Sequence, residues 1–299
     1  MKISVILLIK NGVKFLPKLL EKLGAQKGVL PFELVVVDSG STDGGMEYVK
    51  SIKVSKYQGI KEIKCFQIKS EDFGHGKTRN FAVAKTTGEI VVFMSQDALP
   101  INNDWLFNLI KPFSDPVVAG VFGQQVPNHE TGVLEKYFYS HSYTLTRRVM
   151  TENDSKSFSS KNLFFSNVNG AVRRELLVKF PFREDLLMSE DQYWGRAVLE
   201  KGYQLVYEPD ARVFHSHNYN LKRLFVRYFQ SGYSQRQINL NGNVIKRGIG
   251  TGVGLLKYIL INKPLLLPYT LIYEFIKGGA FVLGRKGGLP SWIEKRLIK

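Results

Sequence analysis

Three short apolar runs, each ending in a polar turn, constrain the fold of this chain more than any other feature. Residues 3–9, 32–37 and 90–94 are rich in β-branched residues and leucine, and helical patterns follow the first two runs. Such runs predict strands buried on both faces, and their alternation with helices predicts a mainly parallel sheet flanked by helices. The sequence therefore predicts an α/β fold that binds ligands at the carboxyl ends of its strands.

The middle of the chain continues this pattern less regularly. It predicts helices at 105–113 and 191–201, strands at 117–125 and 203–207, and a strand followed by a helix within 167–179. Residues 135–160 are first aromatic and then rich in serine, asparagine and aspartate, which predicts a mobile loop or lid. We place a first domain at 1–217, with halves at 1–100 and 101–217, and a C-terminal segment at 218–299.

The C-terminal segment differs from the rest in charge and hydropathy. The chain has a net charge of +16, and fourteen Lys or Arg residues stand against two acidic residues after Asn218. Clustered positive charge favours an anionic partner such as a membrane surface, although a solvated basic surface has the same composition. No recognised nucleic-acid-binding module accompanies this charge, so we expect no nucleic-acid partner.

The apolar residues 255–283 allow two interpretations. Charged residues and two prolines interrupt the stretch, so we expect no membrane-spanning helix. An amphipathic element lying in the plane of a membrane interface fits the pattern, as does a helical hairpin packed on the first domain. The single cysteine, Cys65, rules out an intramolecular disulfide and is compatible with the cytoplasm.

The turn Asp-Ser-Gly-Ser-Thr-Asp-Gly, which starts at Asp38, follows the second apolar run directly. Asp38 can accept hydrogen bonds from a ribose or a base, and the glycines let the backbone approach a ligand closely. The same residue types are also common in turns without a ligand. The position after a buried strand favours a binding role.

A divalent cation site is predicted after the third run. Asp97 supplies one carboxylate, and His215 and His217 can complete the site because residues two apart on a strand share a face. Mg²⁺ and Mn²⁺ combine a few protein ligands with phosphate oxygens.

Two further segments carry candidate chemistry. Asp191 stands at the start of a predicted helix, where a carboxylate can cap the helix or act as a general base toward a hydroxyl. The stretch from Gly74 to Asn80 places glycines, a histidine, a lysine and an arginine before a helical pattern. It can bind a phosphate or an acceptor, or form a solvated turn.

In this order, the segments resemble the family 2 glycosyltransferases, which have the Rossmann-like GT-A fold, and more narrowly the bacterial rhamnosyltransferases of that family. The resemblance rests on eight ordered blocks, which are the strand opening into Lys10-Asn11, DSGSTDG at Asp38, DFGHGKTRN at Asp72, SQDALP at Ser95, SNVNGAVRRELL at Ser166, PFRED at Pro181, SEDQYWGR at Ser189 and YEPDARVFHSH at Tyr207. One departure is Ser95, which stands where the family's D-x-D motif usually begins with an aspartate.

The resemblance implies a role for each matching residue. The nucleotide-sugar contacts would come from Ile9, Asn11, Asp38, Ser39, Ser41, Asp43, His75, Lys77, Arg79, Gln96 and Asp97. The acceptor contacts would come from Asn169, Glu190 and Trp194, the general base would be Asp191, and the metal ligands would be Asp97, His215 and His217.

The resemblance also implies a single displacement with inversion, a divalent Mg²⁺ or Mn²⁺ ion and dTDP-L-rhamnose as the donor. The expected acceptor is a hydroxyl of a glycan or a polyprenyl-linked glycan in cell-surface polysaccharide synthesis. We expect a peripheral location on the cytoplasmic face of an anionic membrane. Alternatives are a UDP-hexose donor and, with less support, a sugar- or nucleic-acid-binding protein without catalysis.

Overall fold

The computed structural model describes residues 1–156, 165–238 and 244–298, and these contain a single nine-stranded sheet. The strands are β1 (Ile3–Ile9), β2 (Phe32–Asp38), β3 (Ile60–Gln67), β4 (Ile90–Ser95), β5 (Leu99–Pro100), β6 (Val118–Val126), β7 (Arg148–Met150), β8 (Asn169–Arg173) and β9 (Gln204–Phe214). Their order is β3-β2-β1-β4-β8-β6-β9-β5, and β7 pairs with β9.

The sheet is mixed, and the predicted parallel arrangement is found among β1 to β4. β1 is parallel to β2 and β4, β2 is parallel to β3, and β6 is parallel to β9. β8 lies antiparallel between β4 and β6. The carboxyl ends of β1, β2 and β4 therefore meet at one edge of the sheet.

Helices cover both faces. They are α1 (Leu16–Gly24), α2 (Gly45–Lys50), α3 (His75–Val83), α4 (Trp105–Ile110), α5 (Val133–Ser142), α6 (Glu152–Lys156), α7 (Arg174–Lys179), α8 (Glu190–Leu199), α9 (Leu221–Gln237), α10 (Val244–Asn262), α11 (Leu267–Lys286) and α12 (Ser291–Leu297). Along β1, Val5 and Leu7 pack in the core on one face while Ile6 packs in the core on the other. This double burial explains why the central strands are apolar throughout.

A buried charge joins the first strands. Glu33 on β2 is fully buried, pairs with Lys64 at 2.7 Å and accepts hydrogen bonds from Ser4 on β1 and from Thr87 before β4. Burial alone would raise the pKa of Glu33, but these hydrogen bonds lower it to about 2. The carboxylate thus holds together the strands whose ends carry the candidate site.

Two expectations for the middle of the chain are wrong. The predicted loop at 135–160 contains α5, β7 and α6 up to residue 156, because Tyr139 and Tyr143 are buried against the core; residues 157–160 lie outside the described residues. The strand predicted at 203–207 continues to Phe214, with a register shift against β6 at Gly123 and Gln124.

The C-terminal segment is helical and packs on the rest of the chain. Buried Leu134 from α5 joins Leu224, Leu255, Ile259 and Tyr273 from α9, α10 and α11 in one apolar cluster. A Cβ at Gly232 would overlap the Phe281 carbonyl, so α9 and α11 are in backbone contact. The boundary after residue 217 stays a prediction.

The expectation that no helix here spans a membrane stays a prediction. Among the described residues, Pro264–Lys286 is long and apolar enough to cross a membrane by length and composition alone, with 17% of its most apolar window buried. The prolines do not interrupt it, because Pro264 and Pro268 stand at the starts of helical turns, where a missing N–H is tolerated.

Candidate active site

The polar turn after β2 is held against the end of β1 by hydrogen bonds. The Lys10 ammonium donates to the carbonyls of Ser39 and Gly40 at 2.8 and 2.6 Å. The Asn11 side chain accepts from Thr42 N at 2.9 Å, and Asn11 adopts a positive φ of 47°. This geometry brings the predicted contacts at Asn11, Asp38, Ser39 and Ser41 to one edge of the sheet.

Asp38 is fully buried at this edge. Its carboxylate accepts hydrogen bonds from the Ser41 amide at 3.1 Å and from the Ser41 hydroxyl. The Ile9 carbonyl accepts from both the amide and the hydroxyl of Ser39, at 3.0 and 3.1 Å. The side chain of Ile9 is buried, so only its backbone lies near the predicted nucleotide site.

Asp43 and Gln96 hold backbone in place. Asp43 accepts from the amides of Val13 and Gly45 at 2.8 and 3.1 Å. Gln96 exchanges two hydrogen bonds with the Lys10 backbone, at 2.9 and 3.0 Å. Both side chains therefore shape the edge, and their direct contact with a donor stays a prediction.

Asp97, His215 and His217 converge on one point. The His215 Nε2 atom lies 3.6 Å from Asp97 Oδ1, and His217 Nδ1 lies 3.9 Å from Asp97 Oδ2. The three ligand atoms all lie within 4.8 Å of one another. The cause is the pairing of β5 with β9, in which Leu99 faces Phe214 and draws the end of β9 toward Asp97.

The histidines lie beyond the end of β9 at Phe214, so the expectation that they share a strand face is wrong. Their rings meet edge to face, with centroids 4.7 Å apart. Both histidines nevertheless lie beside Asp97, as the predicted cation site requires.

Gln125, which the sequence argument missed, orients His215. The Gln125 carbonyl oxygen lies 2.8 Å from His215 Nδ1, and its amide group donates to Ser166 Oγ at 3.2 Å. The Gln125 oxygen therefore faces the imidazole, which places the proton on Nδ1 and the lone pair of Nε2 toward Asp97. Burial lowers the pKa of His215 to about 4, against the opposing charge of Asp97. The imidazole is neutral at pH 7, as metal binding requires.

Asp191 lies in the first turn of α8. The N-cap is Ser189, at a positive φ of 68°, so Asp191 is not the capping residue. Its carboxylate accepts from the amides of Asn167 and Gln192 at 3.1 and 2.8 Å. Burial, followed by the charge of Glu190, raises the pKa of Asp191 to about 7. A carboxyl group with this pKa can take up a proton near neutral pH.

Glu190 is paired with Arg79, and its predicted contact with an acceptor stays a prediction. The two side chains form a close ion pair and are only 4% and 12% exposed.

Burial and the charge of Arg79 lower the pKa of His75 to about 4. α3 begins at His75, so the Gly-His-Gly-Lys stretch enters the helix instead of preceding it. Lys77 is half exposed and pairs with Asp72 at 3.1 Å.

Asn169 and Trp194 are both buried, and their predicted contacts with an acceptor stay predictions. Trp194 is 1% exposed, and its indole donates to the Phe180 carbonyl at 2.9 Å. Asn169 is 1% exposed and accepts from the Trp105 indole at 2.8 Å. Both side chains are part of the packed interior.

Comparison with known sequences finds a matching family model and two similar proteins. The sequence model of Glycosyl transferase family 2 matches residues 4–180. The O-antigen chain rhamnosyltransferase RfbN of Salmonella typhimurium is 31% identical over 95% of this chain and 90% of its own length. The O-antigen chain rhamnosyltransferase WbaN of Salmonella anatum is 31% identical over 85% of this chain and 80% of its own length.

Solved structures share the fold at lower identity. The mannosyltransferase PcManGT from Pyrobaculum calidifontis, in complex with GDP-Man and Mn²⁺, has a TM-score of 0.61 at 21% identity, covering 99% of this chain and 78% of that one. S. aureus TarS 1–349 has a TM-score of 0.59 at 17% identity, covering 99% and 92%. These likenesses confirm the GT-A fold.

Replacing Gln125 tests the predicted cation site. Gln125→Met keeps the volume of the buried side chain but removes the oxygen that fixes the His215 tautomer. We expect the affinity for Mn²⁺, measured by electron paramagnetic resonance, to fall at least about tenfold. The control is Gln124→Met, since Gln124 is equally buried but contacts the Tyr143 carbonyl instead of a histidine. Equal Mn²⁺ affinity in both variants would contradict the role of Gln125.

Proposed function

The chain belongs to glycosyl transferase family 2, and we propose that it transfers L-rhamnose from dTDP-L-rhamnose to a hydroxyl of a glycan or lipid-linked glycan, with inversion. The observation that carries this proposal is the likeness to two O-antigen chain rhamnosyltransferases over most of the chain. Membership of the family makes the protein a glycosyltransferase, and the choice of sugar and acceptor is the proposed part. The acceptor would belong to cell-surface polysaccharide synthesis.

The geometry supports a single displacement. Asp191 accepts the proton of the acceptor hydroxyl while the hydroxyl oxygen attacks the anomeric carbon of the donor sugar. The bond between that carbon and the diphosphate breaks in the same step. The buried pair of Arg79 and Glu190 lies beside this carboxylate, so Arg79 is held in place before the donor binds. The leaving diphosphate needs positive charge at the sheet edge.

A divalent metal is indicated at Asp97, His215 and His217, and these residues fit it chemically. One carboxylate oxygen and two imidazole nitrogens suit Mn²⁺ better than Mg²⁺, which prefers oxygen ligands. The PcManGT complex, which shares the fold, contains Mn²⁺. A bound ion would neutralise charge on the diphosphate oxygens. We therefore propose Mn²⁺ as the preferred ion.

A donor screen tests the sugar. Purified protein is incubated with Mn²⁺ and, in turn, dTDP-L-rhamnose, UDP-glucose, UDP-galactose or UDP-GlcNAc, and release of the nucleoside diphosphate is measured. We expect the highest rate with dTDP-L-rhamnose. Clear turnover of a UDP-hexose without turnover of dTDP-L-rhamnose would overturn the proposed donor and leave the glycosyltransferase assignment intact.

Asp191→Asn tests the general base. Because an amide cannot accept the proton, we expect kcat to fall by about 10²- to 10⁴-fold. In the wild type, kcat/KM should rise with pH through about 7, since only the ionised carboxylate acts as a base and burial raises its pKa to that value. Asp185→Asn is the control, as Asp185 is 62% exposed and pairs with Arg183. Near-wild-type transfer by Asp191→Asn would rule out this base.

We propose that the C-terminal helices attach the protein peripherally to the cytoplasmic face of the membrane. The end of α10 and the start of α11 form an apolar surface, which we define by its exposed residues Leu260, Ile261, Leu265, Tyr269, Leu271, Ile272 and Phe275. Leu265 and Phe275 are 95% and 81% exposed. Lys257 and Lys263 lie in the same stretch of chain, so apolar insertion can combine with attraction to anionic lipid.

Paired charge substitutions test this attachment. We expect Leu265→Glu with Phe275→Glu to lower sedimentation with vesicles containing phosphatidylglycerol severalfold, because carboxylates oppose insertion and are repelled by the anionic surface. Leu145→Glu is the control, since Leu145 is 80% exposed but lies outside the apolar surface. Vesicle binding that is unchanged in the double variant would contradict attachment through these helices.

A further inference from the structure

The leaving diphosphate needs cations, and most basic side chains near the site are already engaged. Lys10 donates to the carbonyls of the turn after β2. Lys77 pairs with Asp72, and Arg79 pairs with buried Glu190. None of these three side chains is free to move toward a ligand without giving up a partner.

Arg227 on α9 differs from them. Its side chain is exposed, and its hydrogen bond in the described part of the chain goes to the Met188 sulfur at 3.7 Å. No carboxylate of the described residues lies within salt-bridge distance of it. A thioether is a weak acceptor, so a phosphate can replace this contact at little cost.

The position of Arg227 is defined by its neighbours. Met188 stands two residues before Glu190 and three before Asp191. Burial, and to a smaller extent the charge of Arg227, lowers the pKa values of His75, His215 and His217. The contact with Met188 therefore places the guanidinium beside the start of α8, the helix that carries Asp191 and the Glu190 partner of Arg79.

Helix α9 is fixed firmly enough to hold such a residue. Asn220 caps its start by accepting from the Arg223 amide at 2.9 Å, only three residues after His217. Ser234 accepts from the Met188 amide at 3.2 Å, and Gln237 donates to the Asp185 carbonyl at 3.3 Å. These bonds join α9 to the chain that leads into α8.

We infer that Arg227 binds the diphosphate of the nucleotide sugar and neutralises its charge as it leaves. The inference rests on the proposed function, because it requires a nucleoside diphosphate donor. A guanidinium can make two parallel hydrogen bonds to phosphate oxygens, which a lysine cannot reproduce. The C-terminal segment thus supplies a catalytic residue in addition to any role at a membrane.

Binding of dTDP, UDP and the nucleosides thymidine and uridine, measured by calorimetry with Mn²⁺, tests this assignment. We expect Arg227→Gln to weaken binding of the preferred nucleoside diphosphate at least about tenfold and to leave nucleoside binding unchanged. The diphosphate affinity of Arg227→Lys should lie between those of Arg227→Gln and the wild type. Lysine keeps the positive charge but cannot make the two parallel hydrogen bonds of a guanidinium. Arg223→Gln is the control, as Arg223 is exposed on the previous turn of α9.

The outcomes distinguish a failure of the role of Arg227 from a failure of the proposed function. Equal diphosphate affinity in folded Arg227→Gln and in the wild type would overturn the role of Arg227 while leaving the proposed function standing. A parallel loss of nucleoside and diphosphate affinity, with a lowered melting temperature, would also overturn it and assign Arg227 a structural role. A wild type that binds neither nucleoside diphosphate would contradict the proposed function itself.

Discussion

Three consecutive residues, Ser166 to Val168, connect the separate parts of the candidate site by hydrogen bonds. The Ser166 hydroxyl accepts from Gln125, whose oxygen orients His215. The Asn167 amide donates to Asp191 at 3.1 Å, and the Val168 carbonyl accepts from the Ser95 amide at 3.2 Å, two residues before Asp97. Asp191, His215 and the end of β4 that leads to Asp97 are therefore all held by the segment just before β8, which lies between β4 and β6.

The surroundings of Asp191 and His215 shift the pKa values of these two side chains in opposite directions. On one side, burial and Glu190 keep Asp191 near the point of protonation, while Arg79 limits the rise of its pKa. On the other, burial keeps His215 neutral although Asp97 lies beside it. Removing one partner of a buried ion pair such as Arg79 and Glu190 costs on the order of 3–5 kcal/mol. The pair of Arg79 and Glu190 is therefore expected to stay intact in the folded protein.

The apolar patterning was sufficient to predict the central strands, because strands covered on both faces must be apolar throughout. It also placed Asn11, Asp38 and Asp97 at one edge, since parallel strands end together. The convergence of Asp97, His215 and His217 depends on the two-residue strand β5, which is too short to leave a periodic pattern in the sequence. Gln125, Ser166 and Arg227 make their contacts over long sequence separations, so no local pattern marks them. The burial of Trp194 has no sequence signal either, because an aromatic residue one turn after a carboxylate looks the same in sequence whether it faces the core or a ligand.

Diffraction from crystals grown with Mn²⁺ and dTDP, with data collected at the manganese absorption edge, tests the central claim most directly. We expect an anomalous peak bounded by Asp97, His215 and His217, with the diphosphate beside it and the nucleobase near Asp38. A manganese peak elsewhere, or a nucleotide bound away from the carboxyl ends of β1, β2 and β4, would contradict it.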